Sequence, residues 1–260
     1  MSSISTIHYH GMSEPPPGVW RQLIDSLDIR AGTGSHALLI GELLSRAGPT
    51  VVSFLNAHAC NLALRDEGFL QTLLDSDYLL RDGVGVELHM KLRGRDPGYN
   101  MNGTDFIPEL IRAMPAGSRV ALYGSAQPWL GTAAQRCAER GLEVDVLDGF
   151  QHDTLYRDRA ASTAPELIVL GMGMPKQERV AMAVRAAVGG RKALIVSGGA
   201  VIDFMGDRHP RAPRWMQLWR LESLFRLFRE PRRLWRRNVG SIGFLGRSVR
   251  SLPGDRRPRP

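Results

Sequence analysis

Cysteine is nearly missing from this 260-residue chain: Cys60 and Cys137 stand alone and fit no metal-binding spacing. So few cysteines argue against a disulfide-stapled secreted fold, and a reduced, cytoplasmic protein is the expectation. No run of 18 or more apolar residues exists, so no helix is expected to span a bilayer. The opening MSSISTIHYHGMSEPPPG has no basic start followed by an apolar stretch, and does not read as a signal peptide. Lysine is absent from the last fifth. From Asp207 to Pro260 there are fifteen arginines and four acids, a net +11; the whole chain carries +8, which leaves −3 for the rest. An excess of charge confined to one end points to a polyanionic partner, either nucleic acid or an anionic membrane surface.

Other features are ordinary. Hydrophobic residues make up 43% and charged residues 23%, as in a globular protein. The length suits one large domain, or a domain with an appendage. EPPPGVWRQLIDSLDIRAGTGS is rich in Pro and Gly and reads as an irregular lead-in, so residues 1–34 are set apart. SHALLIGELLSRAGPT has helical spacing. Short apolar runs then alternate with helical patterns. TVVSFLNA, SDYLLRDG, RVALYGS, LEVDVLDG, ELIVLGMG and KALIVSGGA are expected strands. CNLALRDEGFLQTLLDS, DFIPELIRAM, PWLGTAAQRCAER and KQERVAMAVRAAV are expected helices. This order predicts an α/β fold: a Rossmann-like, mostly parallel sheet flanked by helices over residues 35–204. Residues 205–260 form an arginine-rich appendage. There PRWMQLWRLESLFRLFRE reads as a helix, Pro231 ends it, and PRRLWRRNVG can open another.

Most of the expected strands run into Gly, Asn or Asp, and in open α/β sheets ligands sit at the carboxyl ends of strands. GTGSHA (32–37) matches a dinucleotide pattern but follows no convincing strand, so a nicotinamide site is disfavoured. GMGMP lies on a strand-to-helix turn, where backbone N–H groups could face a diphosphate; a plain structural turn would look the same. Asp75 and Asp77 resemble a metal-holding pair, yet carboxylates at a loop edge are usually just solvated. Asp82, at the end of an apolar run and followed by Gly83 and Gly85, is well placed for a general base, or for a turn aspartate bonding its own backbone. In SGGAVIDF the paired glycines before Asp203 allow close backbone approach to a ligand, or simply a tight turn.

Six stretches in order resemble the WecG/TagA/CpsF glycosyltransferases: NAHACNLAL, LLRDGVGV, NGTDFIPEL, PELIVLGMGMPKQERV, SGGAVIDFMGDRHPRAPRW and LESLFRLFREPRRLWRR. The resemblance spans roughly residues 51–237. It implies an enzyme at the cytoplasmic face of the membrane that moves a sugar, with inversion, from a UDP-sugar to a polyprenyl-diphosphate-linked sugar. No metal or other cofactor is implied. By the resemblance Asp82 matches the general base, and Asn56 and Gln177 match polar pocket positions. Arg226, Arg233 and Arg236 match appendage arginines that reach the nucleotide diphosphate. Backbone N–H groups near Gly171 and Gly173 are expected to share that charge. Two positions depart from the family pattern: Phe54 stands where Thr is frequent, and Asn100, expected to read substrate, stands where Arg is frequent. These departures favour glucose over N-acetylmannosamine as the donor sugar, in exopolysaccharide assembly. Trp215, Trp219 and Trp235 suit a membrane interface beside the arginines. A nucleic-acid binder would account for the charge but not for Asp82 or the strand-end glycines, so nucleic acid is not an expected partner.

Overall fold

The computed structural model describes residues 18–208 together with Gly243, Phe244, Gly246 and Ser248. The expected appendage helices, with Trp215, Trp219, Trp235, Arg226, Arg233 and Arg236, lie outside the described residues. Six strands form one sheet: β1 (Pro49–Leu55), β2 (Tyr78–Arg81), β3 (Arg119–Gly124), β4 (Glu143–Leu147), β5 (Leu167–Gly171) and β6 (Ala193–Ser197). Their order is β2-β1-β6-β5-β3-β4, and every pairing is parallel. All six are the runs expected from the sequence. A parallel sheet covered on both faces needs strands that are apolar throughout, which is why TVVSFL, LIVL and ALIV carry so little alternation.

The helices are α1 (Val19–Asp25), α2 (Ser35–Ser45), α3 (Ala57–Ala63), α4 (Glu67–Leu74), α5 (Val84–Lys91), α6 (Gly103–Ala113), α7 (Trp129–Ala138), α8 (Asp153–Thr163), α9 (Lys176–Ala187) and α10 (Val201–Met205). They depart from expectation in five places: α8 and α10 lie where no helix was expected, and three further differences have local causes. The lead-in is not irregular throughout: α1 buries Trp20, Leu23 and Ile24, and Trp20 Nε1 donates to the Cys60 carbonyl at 3.1 Å. The single helix expected over CNLALRDEGFLQTLLDS is two, because Asp66 accepts from the Phe69 N–H at 2.8 Å and starts α4 afresh. Helix α5 follows Asp82 almost at once, where only a turn was expected.

Helices cover both faces. On one, α2, α6, α7 and α10 pack on Val52, Leu80, Leu122, Val169 and Val196. On the other, α8 and α9 pack on Tyr123, Ile168, Leu170 and Ile195, and α1, α3, α4 and α5 on Leu55 and Leu79. Phe244 is fully buried in that last group, its ring 4.5 Å from that of Trp20. Ser248 sits beside it, its Oγ 2.8 Å from His89 Nδ1. Burial, with Arg93 and Arg95 nearby, pulls His89 down to about 4, so its ring is neutral at ordinary pH. The chain leaving β3 runs outward to β4, whereas the chain leaving β5 runs back to β6. Helices α7 and α9 therefore lie on opposite faces, and a crevice opens between them at the carboxyl ends of the strands.

Candidate active site

A cleft of about 560 Å³ occupies this crevice and extends across the carboxyl ends of β1 and β2. Such a volume suits a nucleotide-sized ligand. Its two ends differ in chemistry.

At the β1–β2 end, parallel register places Leu55 opposite Arg81, so the next residues, Asn56 and Asp82, emerge side by side. Asn56 caps α3: its Oδ1 accepts from the N–H groups of His58 (3.1 Å) and Ala59 (3.0 Å). That leaves its Nδ2 directed at Asp82 Oδ2, a long contact of 3.5 Å. The Asp82 N–H is held by the Leu55 carbonyl at 2.9 Å. Two glycines make this closeness possible. Gly83 has φ +85°, a conformation that side chains rarely adopt. Gly85 faces α3 so closely that an added Cβ would lie 2.9 Å from Ala57 Cβ. The carboxylate of Asp82 thus stands near the starts of α3 and α5, where helix dipoles favour negative charge.

Below the turn, Arg81 is 1% exposed. Its guanidinium donates to the carbonyls of Pro97 (2.7 Å) and Gly98 (3.1 Å) and to Asn100 Oδ1 (3.3 Å), and it pairs with Glu87 at 3.5 Å. Asn100 Oδ1 also accepts from the Gly83 N–H at 3.1 Å. Asn100 therefore braces the Asp82 turn, and it is not among the residues lining the cleft. Phe54 does line it, against Gly103.

At the β5–β6 end, Gly171, Gly173 and Gln177 line the cleft. Their bonding is not what the sequence suggested. Gln177 Oε1 accepts from the Gly173 N–H (3.1 Å) and the Gly199 N–H (3.0 Å), which ties the β5–α9 turn to the β6–α10 turn. The Gly173 N–H is thus spent within the protein. Gln177 Nε2 donates to Glu178 Oε1 at 2.8 Å.

A third group went unrecognised in the sequence. Ser125, at φ +59° after β3, donates through Oγ to Asp203 Oδ1 at 2.5 Å. Arg208 reaches the same oxygen at 3.1 Å and lies 4.4 Å over the Trp129 ring. Asp203 was visible only as a strand-end acid, and nothing in the local pattern marked Ser125 or Arg208 as its partners. Among the described residues Arg208 is the one lysine or arginine lining the cleft. Asp75 and Asp77 lie at the opposite, amino end of β2: Asp77 accepts from the Val51 N–H at 2.8 Å and Asp75 ends α4. GTGSHA leads into α2, and among the described residues the element before it is the helix α1, not a strand. Among the described residues no group of three or more His, Cys, Asp or Glu side chains could hold a metal ion, and no helix is long and apolar enough to cross a membrane.

Comparison with known proteins bears on this geometry. The profile described as "Glycosyl transferase WecG/TagA/CpsF family" matches residues 24–258. An N-acetylglucosaminyldiphosphoundecaprenol N-acetyl-beta-D-mannosaminyltransferase of Bacillus subtilis is 27% identical over 192 residues, 72% of this chain and 74% of that protein. One of the same name from Bacillus spizizenii is 28% identical over 180 residues, 67% of this chain and 69% of its own length.

Proposed function

Since the chain belongs to the WecG/TagA/CpsF glycosyltransferase family, we propose that it moves a sugar from a UDP-sugar to a sugar on a polyprenyl diphosphate. The observation that carries the reading is the Asn56–Asp82 pair at the ends of adjacent strands, open to the cleft. Asp82 takes the proton of the acceptor hydroxyl as its oxygen bonds to the anomeric carbon. The bond from that carbon to the diphosphate breaks, and UDP leaves with the electron pair. One base and a single displacement invert the anomeric centre.

The nucleotide lies toward the β3–β5 crevice, where such sheets bind nucleotides. Asp203 there suits the ribose hydroxyls. The diphosphate brings negative charge to a cleft that already holds Asp82 and Asp203, with Arg208 the one lysine or arginine among its described lining residues. Arg226, Arg233 and Arg236 are assigned to supply the balance, since guanidinium groups fit phosphate oxygens in pairs. The remaining tail arginines dock the enzyme on an anionic membrane, where each contributes about 1 kcal/mol.

The names of the two relatives favour N-acetylmannosamine as donor sugar and an N-acetylglucosamine-bearing acceptor. The departure at Asn100 loses weight as a specificity signal, because that side chain braces a turn. Phe54, in the cleft wall, supports a second reading with glucose as the donor sugar. The test is transfer from a panel of UDP-sugars to short polyprenyl-diphosphate acceptors bearing glucose or N-acetylglucosamine. Turnover with UDP-N-acetylmannosamine is the expected result, turnover with UDP-glucose alone selects the second reading, and none with any UDP-sugar overturns both.

A further inference from the structure

Glu178 is the third residue of α9 and is fully buried. One carboxyl oxygen accepts from Gln177 Nε2; the other, Oε2, has no hydrogen-bond partner. A buried carboxyl half left without partners is costly, and leucine would fill the same place without that cost. Its bond to the Gln177 amide gives a reason for its presence.

The Gln177 amide can be turned two ways. In the observed way its oxygen faces two N–H donors, on Gly173 and Gly199, and its NH₂ faces Glu178 Oε1. Turned over, the NH₂ would meet two donors and the oxygen would meet the carboxyl. The glycine end would then be mismatched in every case, and the carboxyl end whenever Glu178 is ionised. The glycine amides alone favour the observed orientation, and Glu178 penalises the reverse. The ionised carboxylate can do so with either oxygen, whereas a glutamine here could itself turn over; UDP binding is therefore compared at pH 8, where the ionised form prevails.

We propose that Glu178 is a positioning residue: by fixing the Gln177 amide it keeps the β5–α9 and β6–α10 turns clipped together, and so sets the shape of the cleft wall that receives the donor diphosphate. The inference rests on the UDP-sugar reading above. Both turns line the cleft, Gly171 and Gly173 from one and Gly198 and Gly199 from the other, while Glu178 itself does not. Loss of the clip therefore acts on donor binding more than on the proton transfer at Asp82, which sits at the ends of other strands.

The test uses the full-length enzyme and four variants: E178L, E178Q, Q177A and the double variant Q177A/E178L. UDP affinity is measured by calorimetry, with donor KM and kcat alongside. E178L is expected to weaken UDP binding and raise donor KM by about tenfold, with kcat within about threefold of the parent. E178Q, which keeps an acceptor oxygen, is expected to return to within about threefold. Because Glu178 works through Gln177, the double variant should bind UDP no more weakly than Q177A alone. UDP affinity of E178L equal to the parent, or additive losses in the double variant, overturns the proposal. If E178L does not fold, E178M, of similar volume and likewise without an acceptor oxygen, takes its place in the same cycle: UDP affinity equal to the parent, or a loss that persists undiminished in the Q177A background, is again the overturning result. A parent enzyme that binds no UDP at all sinks the functional reading and this inference with it, and is thus distinguishable from a failure of Glu178 alone.

Discussion

Asp82 is the residue on which the chemistry turns. With Asp82→Asn the shape and the Asn56 contact persist but the proton acceptor is lost. Turnover should fall by about 10²–10⁴-fold while UDP binding stays within a few-fold; steady-state rates beside calorimetry check this, and near-native turnover removes Asp82 as the base. Glu178 makes a prediction about pH. Desolvation raises its carboxyl from the usual range to about 7. Between roughly pH 4.5 and 7 the folded protein keeps a proton that the unfolded chain has released, so stability from this group falls as pH rises and stays low above 7. Glu178→Gln removes the titration. Its stability advantage over the parent should be near zero at pH 4.5 and grow to at most ~3 kcal/mol by pH 8, measured by urea unfolding. At this scale the sequence displayed Asp82, because it directly follows an apolar strand, whereas Asn56 was marked only by the family resemblance. The sequence did not record which groups Gln177 bonds, since that side chain's partners come from turns far apart in the chain. Gly199 lies 22 residues away.

Among the elements, the junction of α3 and α5 decides how close Asn56 and Asp82 come. Gly85→Ala forces a methyl against Ala57. The expected outcome is a loss of about 1–3 kcal/mol in stability and a drop in kcat, as the two helix starts separate. Thermal unfolding and rates at saturating donor measure the two effects; an unchanged kcat would show that the spacing of Asn56 and Asp82 is not critical. All six strands were legible, five as nearly unbroken apolar runs such as a sheet covered on both faces demands, and the edge strand β4 by its alternation of Glu143, Asp145 and valines. Helix α1 was not. Its seven residues sit behind three prolines, and composition hid the apolar spacing of Trp20, Leu23 and Ile24. The break between α3 and α4 was carried by Asp66, which reads as a helix start only once its bond to Phe69 is seen.

Across the whole molecule the question is how the arginine-rich end relates to the cleft. Arg208 lines one wall. Phe244 is buried against Trp20 and touches the space beside Gly85, close to the Asp82 turn. Residues 209–242, which hold most of the arginines, connect these two places. Removing the whole end would therefore unseat Phe244 as well as the charges. Substitution within the full chain separates the effects. Phe244→Ala should cost about 3 kcal/mol through the cavity it leaves, read from urea unfolding, and full stability in that variant would mean the ring adds nothing to the core. Replacing Arg226, Arg233 and Arg236 together with Gln should leave stability unchanged, and lower kcat/KM by about 10²-fold or more if they hold the leaving diphosphate. Unchanged rates would take those arginines out of the reaction.

The sequence by itself determined the α/β class, the six strands, the charge division and the candidate base, because these depend on local periodicity and on single residues at strand ends. Only the tertiary structure decided the strand order and with it the position of the crevice. It alone brought Asn56 to Asp82, set Asn100 to bracing a turn, joined Ser125 to Asp203 and Arg208, and turned Gln177 and Glu178 into a clip. Parallel strands are joined through helices, so residues that meet at their carboxyl ends are separated by whole elements, and no local pattern records the meeting.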